Sequence, residues 1–373
     1  MKVVNLVLNS FLNDSRVLKT SKSLISMGYD VQTVAVHESG LEEYERLDDV
    51  RVHRIKLSTK GWSKNKLVQF IKLFEFVFRF VKSYRRVNIL HCNDLNGLFV
   101  GVCCKLTRPK IILVYDSHEF AINDSPNQSL FSVQVRKWVE GALINFSHSV
   151  ITVSESIARA YSHLYGIPRP SVILNCPHYY EQPKCNLFRE RFRIREDQAI
   201  FLYQGGLGKG RGIELLLEAF SDLDSDKNVL VCMGYGLLES RIQEKSKEQN
   251  VIFFHPAVSP DVLLNYTSSA DYGVSFIDDS SFSYRYCLPN KMFEYMMAGL
   301  PVLVSNLPEM KRFVQRECVG IVSDENTVEG FRNSVQASLK QDYFRIQKNV
   351  FVARKRYCWE EQEKVLKEIY DAL

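Results

Sequence analysis

The chain has 373 residues, 46% hydrophobic and 24% charged, with a formal net charge of +5. That is globular composition in a chain too long for one ordinary core, so two domains are expected. Its apolar runs are too short to span a bilayer, the start (Met1 to Leu8) lacks a cleavage-site pattern, and no nucleic-acid motif accompanies the positive charge; no membrane span, signal peptide or nucleic-acid partner is therefore expected.

The first strand is predicted at Val3–Leu8, followed by Asn13-Asp-Ser-Arg16. Asp14 or Ser15 caps a helix over Ser15–Met27 that ends on Gly28. Arg16 has two readings, a phosphate contact or a surface arginine. Strands follow at Val31–Val36 and Arg51–Leu57. From Arg51 to Arg86 there are 11 basic residues and one acid, Glu75. Within this stretch, residues 64–86 are helical in period, aromatic and cationic, and Lys72, Glu75 and Arg79 rule out a bilayer span. The segment reads either as an interfacial helix on an anionic membrane surface or as an ordinary domain helix with solvated lysines.

Asn88–Cys92 is the next strand and closes on His91-Cys-Asn-Asp94. Ile111–Tyr115 runs into Val114-Tyr-Asp-Ser-His-Glu-Phe120, which places Asp116, His118 and Glu119 at a strand's C-terminal end. Three titratable side chains at such an edge point to a site, with Asp94 and Arg16 as weaker companions on neighbouring strand ends. The alternative is an Asx-turn with a hydrogen-bonded histidine, Asp116 serving the turn. Strands at Ser149–Val153 and Val172–Leu174 complete the first domain, 1–180, and Asn175–Asn186, with two prolines, reads as a linker.

The second domain, 187–345, repeats the rhythm with strands at Ala199–Tyr203, Val229–Met233, Val251–Phe254, Tyr272–Phe276 and Val302–Val304. Strand–helix alternation implies parallel sheets covered on both faces, an α/β doubly wound fold with ligands at the strands' C-terminal ends. After Tyr203, five glycines fall within eight residues (Gly205, Gly206, Gly208, Gly210, Gly212), interleaved with Lys209 and Arg211 and followed by a helical pattern. Glycines admit a ligand close to the backbone, a helix start favours an anion, and two cations suit a diphosphate; the plainer reading is a glycine-rich turn capping a helix. Asp222, Asp224 and Asp226 alternate like a metal motif but lie in a polar turn, which favours a solvated loop.

In Leu288-Pro-Asn-Lys-Met-Phe-Glu-Tyr-Met-Met-Ala-Gly-Leu-Pro301 a helix starts at Pro289–Asn290 and ends at Gly299. Asn290, Lys291 and Glu294 share a face, where Glu294 can accept hydrogen bonds from vicinal hydroxyls; the competing reading is an internal Lys291–Glu294 pair. The tail, 346–373, is expected to be helical throughout, anchored by Trp359 and Tyr370 on either domain. The nine cysteines show no Cys-x-x-Cys spacing, so free thiols in a reducing cytoplasm are expected, and no metal site.

Tyr203-Gln-Gly-Gly-Leu-Gly-Lys-Gly-Arg-Gly-Ile213 resembles the phosphate loop of the group 1 (family 4-like) retaining glycosyltransferases, and Pro289–Pro301 is similar to their donor-binding helix. Val114–Glu119 resembles the acceptor-side strand end of members that build bacterial surface polysaccharides, and Trp359-Glu-Glu with Tyr370 the family's last helix, which crosses back to the N-terminal domain. The resemblance implies a GT-B fold, two Rossmann-like domains facing a cleft. It implies an enzyme that moves a sugar from a nucleotide-diphosphate sugar to a glycan or lipid-linked glycan acceptor; no metal cofactor is expected, because cations fill that role, and the basic first domain would hold the reaction at the inner membrane face. Donor binding would fall to Gly205, Gly206, Lys209, Arg211, Asn290, Lys291 and Glu294. Arg16, Asp94, Asp116 and Glu119 would lie on the acceptor side. His118 would contact the donor sugar or acceptor hydroxyl and steady developing positive charge. The chain departs from the pattern at Gly206, where the family carries an arginine, and at Tyr286, where it carries a sugar-binding glutamate; either Asp278 or Asp279 then takes that contact or backbone groups hold the sugar. The alternative from a different class is a non-catalytic partner of the same fold.

Overall fold

A computed structural model describes residues 1–63, 65–123, 128–224 and 226–373. The chain divides into two compact units: Met1–Ile122 with Gln128–Ile173 and Glu363–Leu373, and Asn123 with Leu174–Gln362. The expected limits of 180, 187 and 345 therefore shift. The proline-bearing stretch after Ile173 packs with the second unit, where Pro177 O accepts from Trp359 N at 2.8 Å. The tail is two helices, Tyr343–Arg356 and Trp359–Asp371, because the first caps at Tyr357. The first of these stays with the second unit, and residues 363–373 belong to the first.

The first unit contains strands β1 (Lys2–Leu6), β2 (Asp30–Val36), β3 (Tyr44–Leu47), β4 (Val50–Ile55), β5 (Ile89–Asn93), β6 (Ile112–Ser117), β7 (Ser149–Thr152) and β8 (Ser171–Val172). Their order is β3-β4-β2-β1-β5-β6-β7-β8, parallel except for the β3–β4 hairpin at one edge. The chain winds outward from β1 in one direction and from β5 in the other, so β1/β5 is the switch point where a crevice opens. The β3 strand was not foreseen, since Tyr44-Glu-Arg-Leu47 is too polar to read as part of a buried sheet.

The second unit has strands β9 (Ala199–Gly206), β10 (Asn228–Tyr235), β11 (Ile252–Pro256), β12 (Tyr272–Ser275), β13 (Val302–Val304) and β14 (Gly320–Val322), ordered β11-β10-β9-β12-β13-β14 and wholly parallel. Its switch point is β9/β12. These two strands pair only at Tyr272↔Phe201 and Gly273↔Leu202 before parting. Tyr295 fills the fork: its hydroxyl accepts from Gln204 N at 2.9 Å and donates to Val274 O at 3.0 Å. Gly273 makes room for the ring, because a methyl group there would overlap it.

Tyr295→Phe is expected to destabilise the second unit by roughly 2–4 kcal/mol, since it strands two buried backbone groups. Urea unfolding followed by fluorescence measures it, and an unchanged midpoint would contradict the bridging role.

Candidate active site

Gly205 and Gly206 end β9, and the loop runs to Gly212, the N-cap of the helix Ile213–Ser221. Gly212 has φ +69°, and a methyl group there would overlap the Phe276 carbonyl at the end of β12. The loop is also pressed from β10: methyl groups on Gly234 and Gly236 would overlap the carbonyls of Gly205 and Leu207. Thus the glycines hold the loop flat against two strand ends, and the first turn of the helix presents backbone N–H groups at the switch point.

Two cations stand on aromatic faces around this loop. Lys291 Nζ lies 3.6 Å from the Tyr203 ring centroid, and Arg211 Cζ lies 4.9 Å from that of Tyr284. Lys291 is also the side chain nearest the open side of Gly205, its Nζ 4.0 Å from where a Cβ would sit. Burial, and then the charge of Arg211, push its pKa down to about 7, with Glu294 opposing. Glu294 is half-buried and accepts from Gln204 Nε2 at 2.6 Å, while Gln204 Oε1 accepts from Thr267 at 2.8 Å. That chain orients the carboxylate from β9 rather than through a simple Lys291–Glu294 pair. Asn290 and Lys209 are exposed. Tyr286 stacks on Phe282 at 6.2 Å. Asp279 lies 3.5 Å from Arg285. Burial and then Glu214 raise the Asp278 pKa, and its N–H donates to Gly210 O at 3.1 Å.

In the first unit, Arg16 is neither a surface group nor free for a phosphate. It is buried and grips Asp116 with two hydrogen bonds, 2.7 and 2.9 Å, while Nη1 donates to Ile173 O at 2.8 Å. Asp14 caps the Arg16 helix by accepting from Val17 N. Burial disfavours charge on Asp116, but Arg16, His118 and His91 outweigh it and hold the carboxyl well below its usual range. His91 Nε2 lies 3.4 Å from that carboxylate and Nδ1 lies 2.9 Å from Tyr370 OH. Asn93 donates to Asn5 Oδ1 and to Leu6 O, which turns its own oxygen toward His118 Nε2 at 3.0 Å. An amide oxygen only accepts, so that ring nitrogen carries the proton. Burial works against charge on His118, yet Asp94 and Asp116 raise its pKa to about 9. A pKa raised this far favours the imidazolium at neutral pH, a form better matched to negative than to positive charge. Asp94, at φ +58°, accepts from His118 N at 3.2 Å. Glu119 is exposed, and its carbonyl accepts from Ser117 Oγ at 2.7 Å.

Two family models match the chain, Glycosyltransferase Family 4 over residues 15–176 and Glycosyl transferases group 1 over residues 198–341. This chain is a group 1 glycosyltransferase. The transferase is 23% identical over 323 residues to an uncharacterized glycosyltransferase of Methanocaldococcus jannaschii, covering 81% of this chain and 78% of the other. Its fold is similar to that of a sucrose-phosphate synthase from Thermosynechococcus elongatus (TM-score 0.81, 18% identity, 100% and 98% of the two chains). It is also similar to that of Anabaena HepE in complex with UDP-glucose (TM-score 0.77, 14% identity, 100% of both chains). The fold is GT-B.

The structure thus brings Gly205, Arg211, Lys291 and Glu294 together in one unit of the transferase, and Arg16, Asp94, Asp116 and His118 together in the other. Tyr203, Tyr284, Gln204, Thr267, Asn93 and Tyr370 were missed as site-shaping residues. Gly234-Tyr-Gly236 after a strand was a legible signal; the Gln204–Thr267 contact, 63 residues apart in sequence, left none. The Asp222, Asp224 and Asp226 turn is paired with Arg332, Lys227 and Arg195.

Lys291 supplies a pH test. Its folded-state pKa is depressed, so the unfolded chain binds more protons between about pH 7 and 10 and stability rises through that window. Lys291→Met keeps bulk over Tyr203 without that penalty. The variant is expected to raise Tm at pH 6, with the gain fading toward pH 10; a pH-independent difference in thermal scans would refute the assignment.

Proposed function

We propose that the enzyme transfers a sugar, with retention, from a nucleoside-diphosphate sugar held in the second unit to a glycan or lipid-linked glycan in cell-surface polysaccharide synthesis. The observation that carries this reading is the cationic crevice at β9/β12, with Arg211 and Lys291 on aromatic supports beside Gly205 and with Glu294 oriented by Gln204. Positive charge and helix-start amides suit a diphosphate, and a hydrogen-bond-accepting carboxyl group beside them suits ribose hydroxyls. The UDP-glucose complex of the HepE neighbour supports a donor of this class.

In the proposed step the bond from the anomeric carbon to the phosphate oxygen breaks while the acceptor oxygen bonds on the same face. The departing diphosphate takes the acceptor proton, so no strong protein base is required. Arg211, Lys209, protonated Lys291 and the loop amides balance the developing negative charge, the main electrostatic need of the transition state, and the step requires no metal. Glu294 anchors the ribose and Asn290 borders it. Imidazolium His118, held by Asp116 and Asp94, donates to a sugar hydroxyl or a departing oxygen. The acceptor is met at the inner face of a membrane, which the helix Lys66–Ser83 contacts; Lys64, the start of the expected 64–86 segment, lies outside the described residues.

Arg211→Ala and Glu294→Ala are each expected to weaken nucleoside-diphosphate binding about 10–100-fold, the worth of a lost charge-assisted hydrogen bond. Calorimetry with UDP, GDP and their sugars reads this, and unchanged affinity in both variants would falsify the donor assignment. His118→Ala is expected to lower kcat at least about 100-fold with nucleotide affinity kept within about twofold. Full turnover by that variant would remove His118 from the mechanism.

A further inference from the structure

The topology of the first unit builds one helical layer. The crossings β4→β5, β5→β6 and β6→β7 all move the same way across the sheet. Right-handed crossovers therefore set the helices Lys66–Ser83, Asp94–Thr107 and Leu130–Ile144 side by side on one face. The middle helix packs against both others, with Phe74 edge-on to Phe99 at 6.0 Å.

The outer side of this layer is not that of an ordinary domain. Phe70, Phe74 and Phe78 of the first helix are 58–70% exposed, and Leu130, Phe131 and Trp138 of the third are 76–83% exposed. Monomers seldom leave aromatic ridges of this kind bare. Each of these two helices has a single acid, and both acids are turned inward. Glu75 accepts from the N–H groups of Ser58 and Thr59 and from Arg79, which together overcome burial and hold its pKa at about 2. Glu140 is fully buried and accepts from the hydroxyls of Tyr115, Tyr161 and Tyr165. The outer side is left with apolar rings, Lys137, and the exposed Lys82, Arg85 and Arg86 at the end of the first helix. Across residues 60–86 there are eight Lys and Arg against Glu75.

We propose that this layer is a single docking surface for an anionic lipid bilayer, built from two ridges, with the helix Leu130–Ile144 as the second. Rings with cations, and no outward carboxylate on either ridge helix, match an acidic headgroup region. The inference rests on the reading that the acceptor is met at a membrane, and it adds an orientation. Helix starts lie at the C-terminal edge of a parallel sheet, and bare apolar residues reach those starts: Leu67, Phe70 and Ile71 on one helix, Leu130 and Phe131 on the other. That edge carries Asp94 and His118, so the lipid surface meets the edge bearing the acceptor-side cluster.

The test uses the full chain and vesicles of phosphatidylglycerol or phosphatidylcholine. Wild type is expected to co-sediment with the first and not with the second. The pairs Phe70→Asp with Phe74→Asp and Phe131→Asp with Trp138→Asp are each expected to weaken binding at least tenfold, with UDP affinity unchanged. In a Trp62→Phe background, emission from Trp138 is expected to be quenched by brominated phosphatidylglycerol, because Trp359, the remaining tryptophan, is 1% exposed. Wild type that stays in solution with phosphatidylglycerol overturns both the membrane reading and this inference. Binding lost with the 70/74 pair but kept by the 131/138 pair, with Trp138 unquenched, overturns the second ridge alone. A concentration-dependent dimer that Trp138→Asp dissolves, without vesicle binding, replaces the lipid with a second copy of the chain. Nucleotide affinity reads the donor assignment separately.

Discussion

Neighbouring strands that part at the end of a parallel sheet leave backbone groups without ladder partners, and buried groups of that kind must be paired. Both polar clusters grow from how this need is met. In the first unit β1 and β5 run together as far as Leu6 and Cys92, and the stranded Leu6 carbonyl is met by the side chain of Asn93. In the second unit β9 and β12 part after Gly273, and Tyr295 answers Gln204 N and Val274 O. The same side chains then orient chemistry: Asn93 sets the His118 ring, and Gln204 sets the Glu294 carboxylate.

The two clusters differ in electrostatic design. Around Asp116 every charge has a counter-charge: Arg16 and His118 face Asp116 and Asp94. Burying such a pair gains little over packed apolar groups, while removing one member leaves a naked charge, so the arrangement holds orientation rather than adding stability. The β9/β12 crevice is the opposite case. Arg211 and Lys291 bear the same sign, burial and then Arg211 lower the Lys291 pKa, and aromatic faces relieve only part of the repulsion. A site that carries unspent positive charge is poised for an anion.

Most strands, their parallel sense and the glycine loop were readable because apolar runs alternating with helical patterns, glycine clusters and cap residues are local signals; the three-residue strand Gly320–Val322 was not expected. The same holds for the helix carrying Lys291 and Glu294. What could not be read depends on partners far apart in the chain. Arg16 is an unremarkable residue near a helix start, and only the fold brings Asp116, 100 positions away, against it. The raised pKa of His118 depends on carboxylates at two different strand ends, and Asp94, 24 positions away, is not tied to it by any local signal. The polar edge strand Tyr44–Leu47 lacks an alternating pattern and is held by pairing with its hairpin partner. The ridge at Leu130, Phe131 and Trp138 passes for ordinary core until exposure is known.

The first unit is discontinuous: Glu363–Leu373 completes it after the whole second unit has intervened. Tyr370 from that segment is buried, stacks on His91 and lies in hydrogen-bond contact with its ring. During synthesis on the ribosome, residues 174–362 are all available to fold before this piece emerges. The histidine–aspartate cluster is thus among the last parts to be locked, and a nascent chain can complete the β9/β12 crevice before the surroundings of His91 and Asp116 close.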